Sequence, residues 1–354
     1  MRRRTNPQQR IDKFIKGFTY RHKKSENKPK KKKRYPRDES IYNLIQEDEL
    51  EFFIRWMPIA TEIVADKYGN TTYSGIGSPC RYSLYEILVC LSLKSYFHFP
   101  LRRGKGLIEY LVEKEGLGVN VPSFRMLGNY MKDPLVRECF EDLIKITSNP
   151  LKAIEDSFAT DSTGIAAMCF STWFILRMKR KIRKRDHLTV HITSTTKLNS
   201  VTNVDVRVER GRDNIIFREH VDSVADRFNP KEWSGDCTYA SRENCNKCEE
   251  HGIKPYFKLK DNATDRAKSS PSWRKMVKES REEPEEYDPH YHKRSNVETS
   301  NSSKKRKFNN FVRSRIDETK ENEELMSWSC YNFGVLTRAY HEYGIIPDFA
   351  SQSR

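Results

Sequence analysis

Between residues 41 and 150 the apolar positions recur at helical spacing. Leu44, Ile45, Phe52, Phe53, Trp56 and Met57 form one such run, which Pro58 is expected to interrupt. Ser83 followed three residues later by Glu86 is a capping box, and Leu84, Ile87, Leu88 and Leu91 continue it as one apolar face. Leu107, Ile108, Leu111 and Val112 predict a third helix closed near Gly116 or Gly118, and Pro122 and Ser123 open a short one carrying Phe124, Leu127 and Tyr130. Three short helices in a row fit either a helix-turn-helix that reads DNA or a platform packed on a following domain.

From about residue 151 the period changes. A strand over 154–160 ends at Asp161, with Ser162, Thr163 and Gly164 as its turn. Leu188, Val190 and Ile192, then Val204, Val206 and Val208, alternate with polar residues around Asn199 and Ser200, which reads as a hairpin. Ile216, His220, Val221, Val224 and Phe228 return to helical spacing up to Pro230, and EWSGDCTY then reaches Asp236. SRENCNKCEEHG opens on serine and closes on glycine, as a helix does, and residues 253–259 give a fifth strand. SWRKMVKES predicts a short helix, and residues 325–340 a last amphipathic one packed on the sheet.

The chain has 354 residues, enough for two domains, and a net charge of +16. Most of that charge lies in residues 1–40, where sixteen Lys and Arg stand against four Asp and Glu; KPKKKKR there is too like-charged to fold alone. Such an excess suits a polyanionic partner, because neutralising phosphates releases counterions. A disordered basic tail (1–40), a helical region that either binds DNA or supports the next domain (41–150) and a catalytic domain (151–345) are the expected divisions. No apolar run follows the opening MRRR, and YEILVCLSL is about half the length of a membrane span, so a cytoplasmic protein without a membrane is expected. The eight cysteines lack paired spacing, which predicts free thiols.

One stretch carries candidate chemistry. Tyr291, Arg294, Glu298 and Lys305 stand three, four and seven residues apart, so on one helix at about 100° per residue they project within roughly 60° of each other. A carboxylate among a phenol and two cations can hold a divalent metal while its neighbours grip a nucleic-acid backbone. The bland alternative is a solvated, charged helix face.

The Tyr-Arg-Glu-Lys spacing resembles the C-terminal motif of the DDE transposases of bacterial and archaeal insertion sequences. The resemblance covers roughly residues 80–345. It implies an α/β fold: an RNase H-like mixed sheet flanked by helices, behind an all-α N-terminal region. It also implies two earlier acids, matched by Asp161 in DSTG and by Asp236 with Tyr239 three residues on, although Cys237 and Thr238 depart from the lysine or glycine common there. Asp161, Asp236 and Glu298 are then the catalytic and metal-binding residues, and Tyr291, Arg294 and Lys305 contact DNA. Two Mg²⁺ ions, replaceable by Mn²⁺, are the implied cofactors, and the implied partners are transposon-end and target duplexes bound by a synaptic homodimer near the nucleoid. Three converging carboxylates repel one another unless cations neutralise them, which is the physical case for metal. Asp156, five residues before Asp161, falls on the opposite strand face and is set aside.

Other features have plainer readings. Cys237, Cys245, Cys248 and His251 are enough for a zinc site but match no strong pattern, and they read as flanking a helix. Trp273 fits a core-packed position better than a base-stacking one, and KRKIRKR at 179–185 fits a phosphate-binding strip or a solvated loop. The competing functions are a catalytically silent DNA-binding protein descended from a transposase, and a basic RNA-associated protein.

Overall fold

The computed structural model describes residues 38–70, 82–168, 177, 187–208, 213–266 and 268–349. The basic tail to residue 37, the KRKIRKR strip and Trp173, a residue type expected in the core, lie outside them. Contacts divide the chain after Tyr42, and Asn43–Arg354 form one compact unit.

Among the described residues five α-helices come first: α1 Glu39–Lys67, α2 Leu84–Tyr96, α3 Leu101–Lys114, α4 Phe124–Tyr130 and α5 Pro134–Ser148. Contrary to expectation, α1 runs through Pro58. Proline leaves the Ile54 carbonyl without its helical donor, and the helix continues because Phe53, Met57, Ala60 and Val64 are buried on either side of the gap; one turn on, Thr61 Oγ1 donates to the carbonyls of Met57 (2.8 Å) and Pro58 (2.9 Å). The predicted capping box at Ser83 and Glu86 is present with both hydrogen bonds. Helix α2 is buried without interruption from Ile87 to Ser95, which makes it a core element.

Strands β1 (Ser157–Ala166), β2 (His187–Thr195), β3 (Val201–Arg207), β4 (Glu232–Gly235) and β5 (Lys254–Phe257) form one sheet in the order β3-β2-β1-β4-β5. β1–β2–β3 are antiparallel, whereas β4 and β5 run parallel to β1. Helix α6 (Asp213–Ala225) crosses from β3 to β4, and α7 (Arg242–Glu250) from β4 to β5. Three antiparallel strands followed by two parallel ones joined through helices is the RNase H-like arrangement. At the β2–β3 turn, Asn199 takes φ 63°, and the Glu155 carboxylate accepts hydrogen bonds from Thr195 Oγ1 and the Lys197 and Leu198 amides.

The sheet is covered on both faces because its strands alternate between two cores. Ala159, Ile165, Leu188, Val190 and Ile192 join α1–α5 and the C-terminal helices in the larger core. Phe158, Trp233 and Phe257 join Phe217, Val221, Cys245 and Met276 on the other side. Helices α8 (Pro271–Glu282), α9 (Pro284–His292), α10 (Ser295–Phe308) and α11 (Asp317–Tyr343) complete the chain. Helix α11 packs on the sheet as expected, but it is longer than the expected amphipathic segment and is buried on nearly every side between Thr319 and Thr337. Asn332 pins it to the edge of β3, accepting from the Val201 amide (2.9 Å) and donating to the Val201 carbonyl (2.7 Å).

Candidate active site

β1 is longer than its neighbour β4, and that mismatch makes the site. Their parallel pairing stops at Thr160 and Gly235, so the register carried one residue further sets Asp161 beside Asp236. In parallel strands residues in register project to the same face. Alternation along β1 puts Asp161 and Thr163 on the face of Ala159 and Ile165, the side of the larger core. Past Asp161 the place β4 would have taken is closed only at Ala166, where the chain leaving α10 returns: Ala166 N donates to Asn310 O (3.0 Å) and Val312 N to Ala166 O (3.1 Å). Between lies a cleft of about 490 Å³ lined by Asp161, Thr163, Glu298, Asn301, Ser302, Lys305, Arg306 and Asn310. Asp161 is expected at a strand end but lies inside β1, since pairing with β2 continues past it to Ala166.

Beneath Asp161, a buried polar chain fixes the strand. Trp233 Nε1 donates to Thr160 Oγ1 (2.8 Å), which shares a hydrogen bond with Thr193 Oγ1 (2.8 Å), itself 3.0 Å from His220 Nδ1. Burial lowers His220 to about 3, so it is neutral here.

Tyr291, Arg294, Glu298 and Lys305 do not share one continuous helix. Tyr291 belongs to α9, and a tight turn at Lys293 and Arg294, with hydrogen bonds three residues apart, separates it from α10. Tyr291 packs partly against the smaller core and does not line the cleft. Arg294 lies between two acids, 2.7 Å from Glu298 Oε1 and 3.7 Å from Asp161 Oδ1. Lys305 Nζ donates to Thr163 Oγ1 across the cleft (2.5 Å).

Residues 299–305, weak helix formers, stay helical through tertiary contacts. Ser300 Oγ donates to Asn199 O, and the Lys304 ammonium, fully buried, pairs with Glu324 on α11. Lys305, the next residue, is thereby held on the cleft side.

Burial raises the Asp161 carboxyl to about 6; Arg294 opposes that rise, while the charges of Asp236 and Glu298 add to it. Asp236 is half-buried at the end of β4, and Oδ1 accepts from the Thr238 amide (2.8 Å). Among the described residues no three His, Cys, Asp or Glu side chains lie close enough together to hold a metal ion unaided. Asp161 and Glu298 thus share the cleft with Arg294 between them, and Asp236 adjoins without lining it. This donor set fits a hard divalent cation: oxygen ligands only, with one partly buried acid whose raised carboxyl shows that Arg294 does not fully offset its charge.

The family described as Transposase DDE domain matches residues 154–333. The chain belongs to the DDE transposases. No curated protein and no solved structure matches it. Membership supplies transposase function and DNA as the general partner. Among the described residues, no helix is long and apolar enough to cross a membrane.

The remaining candidates occupy structural positions. Asp156 precedes β1 and pairs with Lys231 (3.1 Å) and Lys197 (3.7 Å), away from the cleft. Cys245 and Cys248 are buried in the smaller core, and His251 bonds Asp222 (2.7 Å), so these residues flank and anchor α7. Trp273 is buried, its indole donating to Thr264 O (2.8 Å). Sequence reasoning passed over Asn301 and Thr163. Asn301 falls three residues after Glu298 and four before Lys305, a spacing that places it on the same helix face.

Proposed function

We propose that this DDE transposase cuts the ends of its element and joins the exposed 3′ hydroxyl to target DNA, using Asp161, Asp236 and Glu298 to hold two Mg²⁺ ions, with Mn²⁺ able to replace them. The observation that carries this reading is the cleft shared by Asp161 and Glu298, with Asp236 directly after the last paired residue of β4 and its charge acting on Asp161. Bound there, the ions would supply Lewis acidity for in-line attack on a phosphodiester without a covalent enzyme intermediate.

The chain's own groups orient the DNA. Lys305, held on the cleft by Thr163 and its helix, contributes a point charge for a backbone phosphate. Arg294 balances Asp161 and Glu298 in the protein alone, and its guanidinium fork suits phosphate once cations take over that role. Tyr291, partly buried behind Arg294, steadies this corner. The basic N-terminal tail adds sequence-independent affinity. Action as a synaptic dimer bound to two ends, close to the nucleoid, completes the reading.

The test uses purified protein, Mg²⁺ and a labelled fragment carrying the element's end. Cleavage and strand transfer that vanish in Asp161→Asn and Glu298→Gln, with duplex binding retained, support the enzyme. Wild-type protein that binds the end without cutting it would favour a silent DNA-binding descendant.

A further inference from the structure

We propose that Asn301 is an additional oxygen group of the cation site, placing a neutral carboxamide oxygen beside the carboxylates of Asp161 and Glu298. The inference rests on the metal-dependent reading above and adds a residue to it.

Asn301 lines the cleft, yet it is 94% buried, with 6% of its surface exposed. Its Oδ1 is buried and has no hydrogen-bond partner among the described residues. Native proteins rarely leave a buried acceptor unmet, and when they do the group commonly awaits a ligand, water or ion. The rest of the buried polar surface of α10 is satisfied: Ser300 bonds Asn296 O and Asn199 O, and Lys304 pairs with Glu324. Of the neighbouring cations, Lys305 is engaged with Thr163 and Arg294 with Glu298 through Nη2, while Arg294 Nε is buried and, like the Asn301 oxygen, has no partner among the described residues. One turn from Glu298 and one from Lys305, the Asn301 oxygen is the unmet acceptor of this helix face.

The residue type is also informative. Hard divalent cations accept mixed sets of carboxylate and amide oxygens. A fourth acid here would add to the repulsion that already raises Asp161. A carboxamide offers an oxygen without that charge, contributing to the ion directly or through one of its waters.

Titration of the full-length protein with Mn²⁺ alone, without DNA, tests the inference by the electron paramagnetic resonance signal of free Mn²⁺. N301L, similar in size but lacking the oxygen, is expected to bind about tenfold more weakly. N301D keeps shape and oxygen and is expected to bind at least as tightly as wild type; it carries the test if N301L does not fold. Wild-type affinity in N301L, or weakening in N301D, overturns the proposal, the latter because the carboxamide would then face the cleft through its N–H. D161N and E298Q serve as references. If both weaken Mn²⁺ binding and N301L does not, only the role of Asn301 fails. If neither weakens it, the site reading itself fails.

Discussion

Replacing Lys304 by methionine should destabilise the protein far more than replacing both members of its ion pair. Lys304 on α10 and Glu324 on α11 have side-chain exposures of 0% and 2%, and the ammonium also lies 5.5 Å from the Trp328 ring. Methionine keeps most of the stem and removes the charge, which leaves the Glu324 carboxylate buried without this cation. Breaking a buried pair from one side costs about 3–5 kcal/mol. Against a typical total of about 5–15 kcal/mol, that is a large fraction. The double variant Lys304→Met, Glu324→Leu removes both desolvation penalties and should lie within about 2 kcal/mol of wild type, so with each single losing about 3 kcal/mol or more the coupling in the cycle is at least about 4 kcal/mol. Urea unfolding at pH 7 measures each corner, provided the slope with denaturant stays constant. A single variant that loses under about 1 kcal/mol, or a double variant that loses the sum of the two singles, would refute the reasoning.

Three further outcomes follow from the same coordinates. Burial raises the Glu323 carboxyl, but Lys94 (2.8 Å) and Ser314 outweigh it and hold the group at about 2 against an ordinary 4.5. The resulting stability, about 3 kcal/mol, is complete above pH 4.5 and lost as pH falls from 4.5 towards 2; urea midpoints should drop across that window, and Glu323→Gln should flatten the drop. Asp161 is raised from 3.8 to about 6 by burial and by its acidic neighbours, so its ionised form weakens the fold at neutral pH. Asp161→Asn should stabilise metal-free protein by about 2 kcal/mol at pH 7, a gain that fades as pH falls from 6 to below 3.8, while cleavage is abolished. Asn332→Ala strips partners from both the Val201 amide and carbonyl inside the core and should cost about 3 kcal/mol by thermal or urea unfolding.

The order of strands and helices after residue 150 is legible in the sequence because each element there has one dominant period. β2 and β3 alternate, α6 repeats at helical spacing, and the caps at Ser241 and Gly252 are local signals that burial does not override. Elements decided by distant partners were harder to read. Pro58 is a break by its own chemistry and a helix interior once the buried residues on either side, Met57, Ala60 and Val64, hold α1 against the core. Residues 299–305 are poor helix formers, yet Lys304 fixes them through Glu324, a partner nothing local announces. The charged residues of α11 mimic an exposed face, although Lys320, Glu323 and Glu324 are buried among groups from other helices.

The same distinction governs the site. Side-chain spacing predicts which residues of α10 share a face, so Glu298 and Lys305 were legible, and Asn301 should have been; it was missed because an amide carries no charge to draw attention. Tyr291 fails that rule, since the turn at Arg294 tightens to three-residue hydrogen bonds and breaks the angular count. The cleft depends on a comparison between strands. β4 spans four residues and β1 ten, so most of β1 outlasts its parallel neighbour and Asp161 stands at the step. Gly235 belongs to the same step: a Cβ there would come within 3.1–3.3 Å of Phe257 and Tyr239, so the glycine lets the chain turn close against its own core as it delivers Asp236. A short strand ending in glycine and aspartate, beside a long one whose aspartate lies midway, is thus what brings two acids into register at the edge of an open cleft.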